Sequence, residues 1–452
     1  MKKMKDGIFT ILITICALAL CPSAVVAQGH PLHHDGPANT SANSEKGIHA
    51  LAGTSPGGDL FFPAVTYPSA GAFGNAVAVA DLNHDGKPDL VVANGYNGGI
   101  PGNGGVGVLF GKGDGTFQPA VTYDSGGPGA FANSVVITDV TGDGKLDLVI
   151  VDSCNNGYCK GGSWIAVLKG NGDGTFRNPA KHRSSGASWQ VKVADVNGDG
   201  IPDLLVANAC SGTDNIHTCK GKGGLGVLLG LGKGKFQPAV SYPVNETGSY
   251  SVAVGDFNGD GKLDAVVTAF CSTDGCVGRQ GTVGMFLGNG NGTFQPVVNY
   301  FTGGAASSVS VADLNGDGKL DVVVANGGSN SVSVLRGNGD GTLQPPTLYS
   351  LSGDATTIAV ADVNEDGKPD LIVGNGDSSV IGGATIFPGN GDGTFQLPTT
   401  YSSLGYGAGP TAIVDLNGDG RPDLVVTNGC ESLGCATSQM GSIAVLLHAN
   451  TP

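Results

Sequence analysis

The sequence contains no apolar run long enough to cross a membrane. Its longest run, Ile8–Leu20, is mostly apolar over thirteen residues, whereas a transmembrane helix needs about 20. This run follows three lysines among the first five residues and precedes Ala27, which is the pattern of a secretory signal peptide over residues 1–27. A lipoprotein anchor at Cys21 is a weaker alternative, because the preceding Leu20 is larger than a lipobox allows. We therefore expect an exported protein, secreted or held at the cell surface, without a membrane span.

Basic residues are also scarce. The chain has 23 Lys and Arg against 38 Asp and Glu, which gives a formal net charge of −15. An acidic protein repels the phosphate backbone of nucleic acids, so this composition argues against a nucleic-acid partner.

Charged residues make up only 13% of the chain, while glycine accounts for 79 of 452 residues. Such a composition could indicate a low-complexity chain, but a strict internal period and β-branched runs argue against that interpretation. The exception is residues 28–57, which are rich in small and polar residues and predict a disordered leader. A transition-metal site in this leader, at His30, His33, His34 and Asp35, is the less favoured alternative.

The internal period comes from a nine-residue acidic motif, D-x-[NT]-x-D-G-x-x-D, that occurs seven times. Side chains at alternate positions of a tightly wound loop converge on one point, and Ca²⁺ takes six to eight oxygen ligands. Glycine at position 6 permits the unusual φ that such a loop requires. We therefore predict up to seven structural Ca²⁺ ions, with the carbonyl of position 7 as a further ligand. The predicted side-chain ligands, at positions 1, 3, 5 and 9, are Asp81, Asn83, Asp85, Asp89, Asp139, Thr141, Asp143, Asp147, Asp195, Asn197, Asp199, Asp203, Asp256, Asn258, Asp260, Asp264, Asp313, Asn315, Asp317, Asp321, Asp362, Asn364, Asp366, Asp370, Asp415, Asn417, Asp419 and Asp423.

Successive motifs begin 49 to 61 residues apart. We number the repeat units one to seven in the order of these motifs. A period of this length is typical of a solenoid, an array or a propeller. Unit five predicts four short strands, at residues 308–313, 322–325, 331–336 and 343–349. The acidic motif follows the first strand, and a Gly-rich hairpin turn precedes the fourth. Four strands per unit make one propeller blade.

The hairpin turn usually carries one aspartate of its own, which raises the alternative of a second metal site. In unit three, however, the turn contains Lys233 and Lys235 and no aspartate. We therefore interpret this aspartate as a residue that stabilises the turn itself and not as a metal ligand.

The two ends of the repeat region complement each other. Unit seven ends after its third predicted strand, at 442–447, whereas residues 60–67 match the fourth strand of unit one at 117–123. We therefore predict that the N-terminal strand completes the last blade and closes an all-β, seven-bladed β-propeller over residues 58–452. We expect this propeller to be a monomer.

Eight cysteines remain after the signal peptide, and they fall into local pairs. In an exported chain, cysteines five or nine residues apart predict disulfides that close loops. Zinc sites are the less favoured alternative, because no second pair lies close to any of them. The predicted pairs are Cys154–Cys159, Cys210–Cys219, Cys271–Cys276 and Cys430–Cys435.

The core V-A-D-x-N-x-D-G-x-x-D-L, with a downstream G-x-G-D-G-T-F, resembles the FG-GAP/VCBS repeat of integrin α-chain propellers and of many secreted bacterial proteins. The resemblance covers residues 58 to about 448 and implies Ca²⁺ in the loop between the first and second strands. It implies no single function, since similar propellers serve as adhesion modules, lectins and polysaccharide lyases. Thr141 departs from the asparagine of the other loops, so we expect the Asp139 loop to bind Ca²⁺ most weakly.

Strands alternate in direction within a blade, so the metal loops and hairpin turns should share one face. The loops between second and third strands and the connections between units should share the other, and these loops are long in units one to four and seven. We hypothesise that this arc is a ligand face for a sugar or a protein. The alternative is that its aromatic rings only fill the central channel or pack under the loops. The rings, one in each connection that enters these units, are Phe73, Phe131, Trp189, Tyr250 and Tyr406.

Catalysis has less support in the sequence, because no nucleophile, base and acid group together. Only His182 and His217 among the eight histidines are expected near the ligand face. A polysaccharide lyase would need a base and a cation in one cleft, and the basic candidates are Lys181, His182, Arg183, Lys220 and Lys222. The sequence therefore favours a non-catalytic recognition or adhesion module for an extracellular glycan or protein, with a glycan-active enzyme as the alternative.

Overall fold

A computed structural model describes residues 59–97, 103–128, 130–154, 163–211, 222–244, 246, 248–270, 280–376, 381–431 and 441–449. The predicted signal peptide and leader lie outside these ranges. The described residues form an all-β fold of 29 strands and contain no helix. Accordingly, none of them belongs to a helix long and apolar enough to cross a membrane.

Five antiparallel sheets have four strands each, and each sheet belongs to one of units one to five. The sheet of unit one contains β2 (Gly71–Ala80), β3 (Asp89–Asn97), β4 (Asn103–Leu109) and β5 (Val121–Pro128). The sheet of unit two contains β6 (Ala130–Thr138), β7 (Asp147–Cys154), β8 (Trp164–Leu168) and β9 (Ala180–Arg183). The sheet of unit three contains β10 (Gly186–Ala194), β11 (Asp203–Ser211), β12 (Gly224–Leu228) and β15 (Val240–Pro243), with a two-stranded hairpin of β13 (Gly230–Gly232) and β14 (Lys235–Phe236) beside it. The sheet of unit four contains β16 (Val252–Gly255), β17 (Asp264–Ala269), β18 (Thr282–Phe286) and β19 (Val298–Phe301). The sheet of unit five contains β20 (Ala305–Ala312), β21 (Asp321–Gly327), β22 (Ser331–Leu335) and β23 (Thr347–Ser350).

Units six and seven share one seven-stranded sheet, which differs from the prediction of separate four-stranded blades. The reason is that β27 continues through the connection between the two units. Its residue Tyr406 pairs with Ile381 of β26 on one side and with Cys430 of β28 on the other. The strands, in spatial order, are β1 (Val65–Pro68), β29 (Ser442–Leu446), β28 (Asp423–Cys430), β27 (Thr399–Val414), β26 (Ile381–Phe387), β25 (Asp370–Asn375) and β24 (Ala355–Ala361).

The N-terminal strand β1 pairs antiparallel with β29, the third strand of unit seven, with Val65 opposite Val445. It therefore takes the outer position that the fourth strand takes in units one to five. An isolated bridge between Phe61 and His448 extends this pairing toward the N-terminus.

The second strand of each unit is a continuous apolar run because both of its faces are covered. In β17, Ala265 and Val267 pack in a cluster with residues of unit three, whereas Val266 between them packs with residues of unit five. The same arrangement joins the last unit to the first, because Val77 of β2 shares a cluster with Val425 of β28. The core is thus divided among clusters that each lie between two neighbouring sheets.

The fourth strand of unit five is shorter than predicted. It begins at Thr347, and Leu343 makes only an isolated bridge to Gly337. Pro345 and Pro346 lie between them, and proline has no N–H to donate to a ladder. This edge strand exposes most of its side chains.

Candidate functional site

The acidic loops are tightly wound, and their carboxylates accept hydrogen bonds from the backbone of the same loop. In unit three, Asp195 Oδ1 accepts the N–H groups of Gly198 (2.7 Å) and Asp199 (3.2 Å), and its Oδ2 accepts that of Gly200 (2.8 Å). The amide oxygen of Asn197 accepts the N–H of Asp199 at 2.9 Å. Positions 1 and 3 therefore both face the interior of the loop, as alternate positions of a tight turn should.

Two positions of each loop, not one, have positive φ. In unit five, Gly318 at position 6 has φ 78° as expected, and Gly316 at position 4 has φ 73°. Position 4 is glycine in five of the seven loops but His84 (φ 59°) in unit one and Glu365 (φ 59°) in unit six. The recurrent glycine at position 4 was the sequence signal for this second turn.

The aspartate at position 9 is fully buried in all seven units. In unit five, Asp321 Oδ2 accepts the N–H of Leu314 at 3.2 Å, and Oδ1 accepts that of Gly337 at 2.8 Å. Gly337 begins the hairpin turn between the third and fourth strands. The carboxylate at position 9 thus joins the acidic loop to the hairpin turn of the same unit.

This connection recurs around the molecule. The N–H of position 2 lies 2.9–3.2 Å from the position 9 carboxylate in every unit. A second N–H, from the hairpin turn or its equivalent, lies 2.7–2.9 Å from the other oxygen. Burial raises the pKa of Asp89, Asp370 and Asp423 to about 6, against the lowering effect of these N–H groups. The remaining four have pKa values raised by the same cause.

The hairpin turn also contacts the acidic loop of the preceding unit. Its last glycine donates its N–H to the position 2 carbonyl of that loop, over distances of 3.0–3.2 Å. The pairs are Gly115 with Leu416, Gly234 with Val140, Gly292 with Val196, Gly341 with Phe257, and Gly393 with Leu314. The first pair links unit one to unit seven. The acidic loops and hairpin turns therefore form one hydrogen-bonded edge.

The aspartates of the hairpin turns serve the turn itself. Asp340 Oδ1 accepts both the N–H (3.0 Å) and the hydroxyl (2.5 Å) of Thr342. These bonds lower the pKa of Asp340. The geometry agrees with the interpretation that this aspartate stabilises its own turn.

Three carboxylates, an amide oxygen and backbone carbonyls make a donor set that suits a hard cation such as Ca²⁺. Each carboxylate oxygen that accepts one N–H retains capacity for a further contact. The carboxylates do not already converge, however: within the described ranges, no three acidic, histidine or cysteine side chains lie close enough to form a metal cluster. At position 5, Asp85, Asp260 and Asp366 instead lie 3.1–4.0 Å from the lysine two residues later. The donor chemistry fits a cation. In this structure, backbone N–H groups of the loop donate hydrogen bonds to most of the side-chain oxygens of the loop.

On the opposite edge, the predicted aromatic residues pack against one another. Phe73 and Phe131 both contact Tyr96 edge to face, with ring centroids 5.8 and 5.3 Å away. Phe131 is only 3% exposed. Phe73 has φ 57°, which is unusual for a bulky residue.

A second group contains Trp189, Tyr250 and Phe270, with centroids 5.1 and 5.6 Å apart. Trp189 is 6% exposed, and burial raises the pKa of Tyr250 to about 12. Tyr406 is partly exposed and pairs across strands with both Ile381 and Cys430. Phe131 and Trp189 therefore lie beneath the surface, whereas Phe73, Tyr250 and Tyr406 are partly exposed.

The basic residues of β9 have structural contacts. His182 packs edge to face on Phe236, 5.1 Å between centroids, where other units pack a tyrosine on the equivalent ring. Arg183 lies over the Trp164 ring at 3.6 Å, and Lys181 donates a hydrogen bond to the Gly126 carbonyl. Lys222 is exposed, whereas His217 and Lys220 lie outside the described residues.

Of the cysteines, Cys210 and Cys430 are buried and disulfide-bonded. Their predicted partners, Cys219 and Cys435, lie outside the described residues, as do Cys159, Cys271 and Cys276. Cys154 ends β7. The four pairings therefore stay predictions.

Comparison with known structures supports the fold. A lectin from Burkholderia pseudomallei, BP39L, has a TM-score of 0.56 at 12% identity, covering 85% of this chain and 98% of the lectin. The Vibrio cholerae biofilm matrix protein Bap1 has a TM-score of 0.43 at 13% identity, covering 85% and 88% of the two chains. NanB sialidase from Streptococcus pneumoniae has a TM-score of 0.45 at 11% identity, covering 87% and 71%. At such identities a likeness shows the fold alone, and the lectin, with a TM-score above 0.5, supports a propeller-like β fold.

Comparison of the sequence with curated proteins finds no match. The model of the FG-GAP-like repeat matches residues 96–150, 139–206, 212–267, 272–324, 313–373 and 362–426, and that of the FG-GAP repeat matches 73–109. These matches begin in unit one and extend into unit seven. The chain therefore belongs to the FG-GAP repeat family.

Proposed function

We propose that this chain is an exported, seven-bladed propeller that binds Ca²⁺ along one edge and recognises an extracellular glycan or protein with the other. One observation carries the proposal: the two edges are built differently. The edge with the acidic loops repeats the same hydrogen bonds from unit to unit, whereas the opposite edge varies in its aromatic residues and loop lengths.

Closure of the ring is supported by contacts between the first and last units. Val77 and Val425 share a core cluster, β1 pairs with β29, and Gly115 donates to the Leu416 carbonyl. With the seven acidic loops, these contacts favour a closed ring of seven blades. Such a ring leaves no long unpaired sheet edge at the junction of its first and last units.

Calcium is assigned a structural role. In each loop, the carboxylates at positions 1 and 5 and the side-chain oxygen at position 3 would hold the ion. The carboxylate at position 9 lies on the buried side of the loop. The ion supplies positive charge that offsets the repulsion among these carboxylates. The position 9 aspartate keeps the loop and the hairpin turn together whether or not an ion is bound.

Recognition is assigned to the opposite edge, where the sequence places the long loops of units one to four and seven. Units five and six have small hydrogen-bonded residues in the corresponding connections. There, Ser307 donates to the Ala325 and Ala355 carbonyls, and Thr356 donates to those of Gly374 and Ala408. The long loops that the sequence predicts on this edge are the proposed ligand contacts. Predicted disulfides would hold those loops in shape.

The proposal is for a non-catalytic module. The basic residues of β9, which were the candidates for a glycan-cleaving site, have contacts to Phe236, Trp164 and Gly126 that account for their positions. No structural observation specifically favours the enzyme.

A glycan array, probed with the Ca²⁺-loaded full chain, tests the recognition half of the proposal, with immobilised extracellular proteins in parallel. Binding without loss of the bound glycan would support a recognition module. Release of new reducing ends from acidic polysaccharides would instead establish the enzyme. A metal count on the same preparation tests the calcium half separately.

A further inference from the structure

Unit two differs from most other units at one buried polar position. Five units have asparagine at the end of the second strand, whereas unit two has Asp152 and unit four has Ala269. The asparagines are Asn94, Asn208, Asn326, Asn375 and Asn428. Asp152 is only 2% exposed. A lone aspartate in place of a buried amide has a chemical consequence, because an ionised carboxylate cannot donate a hydrogen bond.

In units one, six and seven the asparagine clamps the connection that leads from the preceding unit, whereas Asn208 and Asn326 donate to serine hydroxyls. In unit one, Asn94 Nδ2 donates to the Ser69 carbonyl at 3.0 Å, and Asn94 Oδ1 accepts the Ser69 hydroxyl at 2.8 Å. The equivalent amides of Asn375 and Asn428 donate to connection carbonyls at 3.1 and 3.0 Å. In unit one the clamp thus uses both functions of the amide, its acceptor and its donor. In units six and seven it uses the donor, and the amide oxygens of Asn375 and Asn428 have no hydrogen-bond partner among the described residues.

Unit two retains only the acceptor half of this clamp. The Ser125 hydroxyl, which corresponds to that of Ser69, donates to Asp152 Oδ1 at 2.6 Å. Asp152 Oδ2, which corresponds to the donating nitrogen of Asn94, has no hydrogen-bond partner among the residues that the structure describes. A proton on Oδ2 would restore the missing donor.

Two charged side chains act on this carboxyl from neighbouring strands. Asp124 of β5 is adjacent to Ser125 and disfavours ionisation of Asp152, while Lys181 of β9 favours it. Lys181 also donates to the Gly126 carbonyl, in the same connection. Burial is the largest influence, and with these charges it raises the pKa of Asp152 to about 7.

We propose that Asp152 is a pH-operated clamp, closed when its carboxyl is protonated and donates to the Ser125 carbonyl, and open when the carboxyl is ionised. Closing the clamp fixes the connection Asp124–Gly126 between units one and two. This connection lies on the edge assigned above to recognition, but the clamp does not depend on that assignment.

The pH dependence follows from proton binding. The carboxyl of an unfolded aspartate ionises near its ordinary value of 3.8, whereas that of folded Asp152 ionises at about 7. Between these values the folded chain holds one proton more than the unfolded chain, so the contribution to stability falls as pH rises. Below this window the contribution is fully present, and it is lost as pH rises through about 7.

Hydrogen exchange measured by mass spectrometry tests the clamp directly. The full chain would be compared at pH 5.5 and pH 8 in saturating Ca²⁺, with protection corrected for intrinsic exchange rates. We expect protection of the Asp124–Gly126 connection to fall about tenfold at pH 8, as the loss of one buried hydrogen bond would produce. The Ser69 connection of unit one, clamped by Asn94, is the internal control and should not change.

The matched variant is Asp152→Asn, which carries the donor at every pH and should keep the connection protected at both. Equal protection of the native connection at both pH values, or the same loss in the variant, would overturn the proposal. If the variant does not fold, the ¹³C carboxyl resonance of Asp152 in the native chain decides instead. A midpoint near 7 would support the clamp, and a midpoint near 4 would contradict it.

Discussion

The side chain of His448 lies against the neighbouring unit, with Nε2 3.2 Å from the Val363 carbonyl. Val363 occupies position 2 of the acidic loop in unit six, the position that receives a glycine N–H from the hairpin turn elsewhere. In unit seven β1 takes the outer position beside β29, and the described residues include no hairpin turn there. The backbone N–H of His448 also donates to Asp423 Oδ1 at 2.7 Å. His448 therefore replaces both hydrogen bonds of the missing turn.

Replacing His448 by alanine should destabilise the protein through loss of the inter-unit bond and the ring contact with Phe61. We expect a loss of about 1–3 kcal/mol in the free energy of unfolding, measured by denaturant titration. His448→Gln, which keeps a side-chain N–H donor on a side chain of similar length, should recover part of the lost free energy of unfolding. The exposed residue His84, changed to asparagine, is the control and should change stability little. An alanine variant as stable as the native protein would show that His448 does not join units six and seven.

Asp321 and Asp317 occupy one loop but have different roles. Asp321→Asn puts an amide opposite two buried N–H donors, so one donor loses its acceptor. In excess EDTA, we expect this change to lower the free energy of unfolding by about 1–3 kcal/mol. Asp317→Asn, at a more exposed position, should leave stability in EDTA nearly unchanged and weaken Ca²⁺ binding instead. Equal effects of the two changes in EDTA would contradict the structural role of position 9.

Thr141 gives the loop of unit two a weaker set of contacts. In unit four, Asn258 Oδ1 accepts the Asp260 N–H at 2.9 Å, whereas the Thr141 hydroxyl points to Asp139 at 3.2 Å. We expect calorimetric titration of the native chain to show six tighter sites and one weaker site. Thr141→Asn should convert the weaker site to the tighter class, and Asn258→Thr should create a second weak site. A titration unaffected by either change would remove position 3 from the ligand set.

The burial of Trp189 sets its expected effect on stability. Trp189→Ala removes a ring packed on Tyr250, and we expect it to lower the free energy of unfolding by about 3–5 kcal/mol. Trp189→Phe should cost less, and Tyr406→Ala, at a partly exposed ring, should cost least. Thermal and denaturant unfolding of the three variants would order them. A harmless Trp189→Ala would indicate that the ring is free for a ligand.

The repeat, the strand order and the acidic loops were predictable because they depend on spacing within one unit. The role of Asp321 was not, because its second partner, Gly337, lies on another turn and the contact depends on how the hairpins fold together. The contacts of His448 depend in the same way on which unit becomes its neighbour. Sequence also could not distinguish a buried Trp189 from an exposed one, since an aromatic residue in a connection is compatible with both. The continuous strand β27 arises because Tyr406 pairs on both sides, which no local pattern indicates.

Calcium in the acidic loops is the central claim, and thermal unfolding with Ca²⁺ and with EDTA, alongside a metal count by mass spectrometry, tests it most directly. A ligand that binds only the folded state raises the free energy of unfolding by RT ln(1 + [L]/Kd) for each site. We predict about seven Ca²⁺ ions per chain, one for each loop, and a large fall in Tm on chelation. Few bound ions and an unchanged Tm would contradict the account, because the aspartates would then serve only the backbone hydrogen bonds of their own loops.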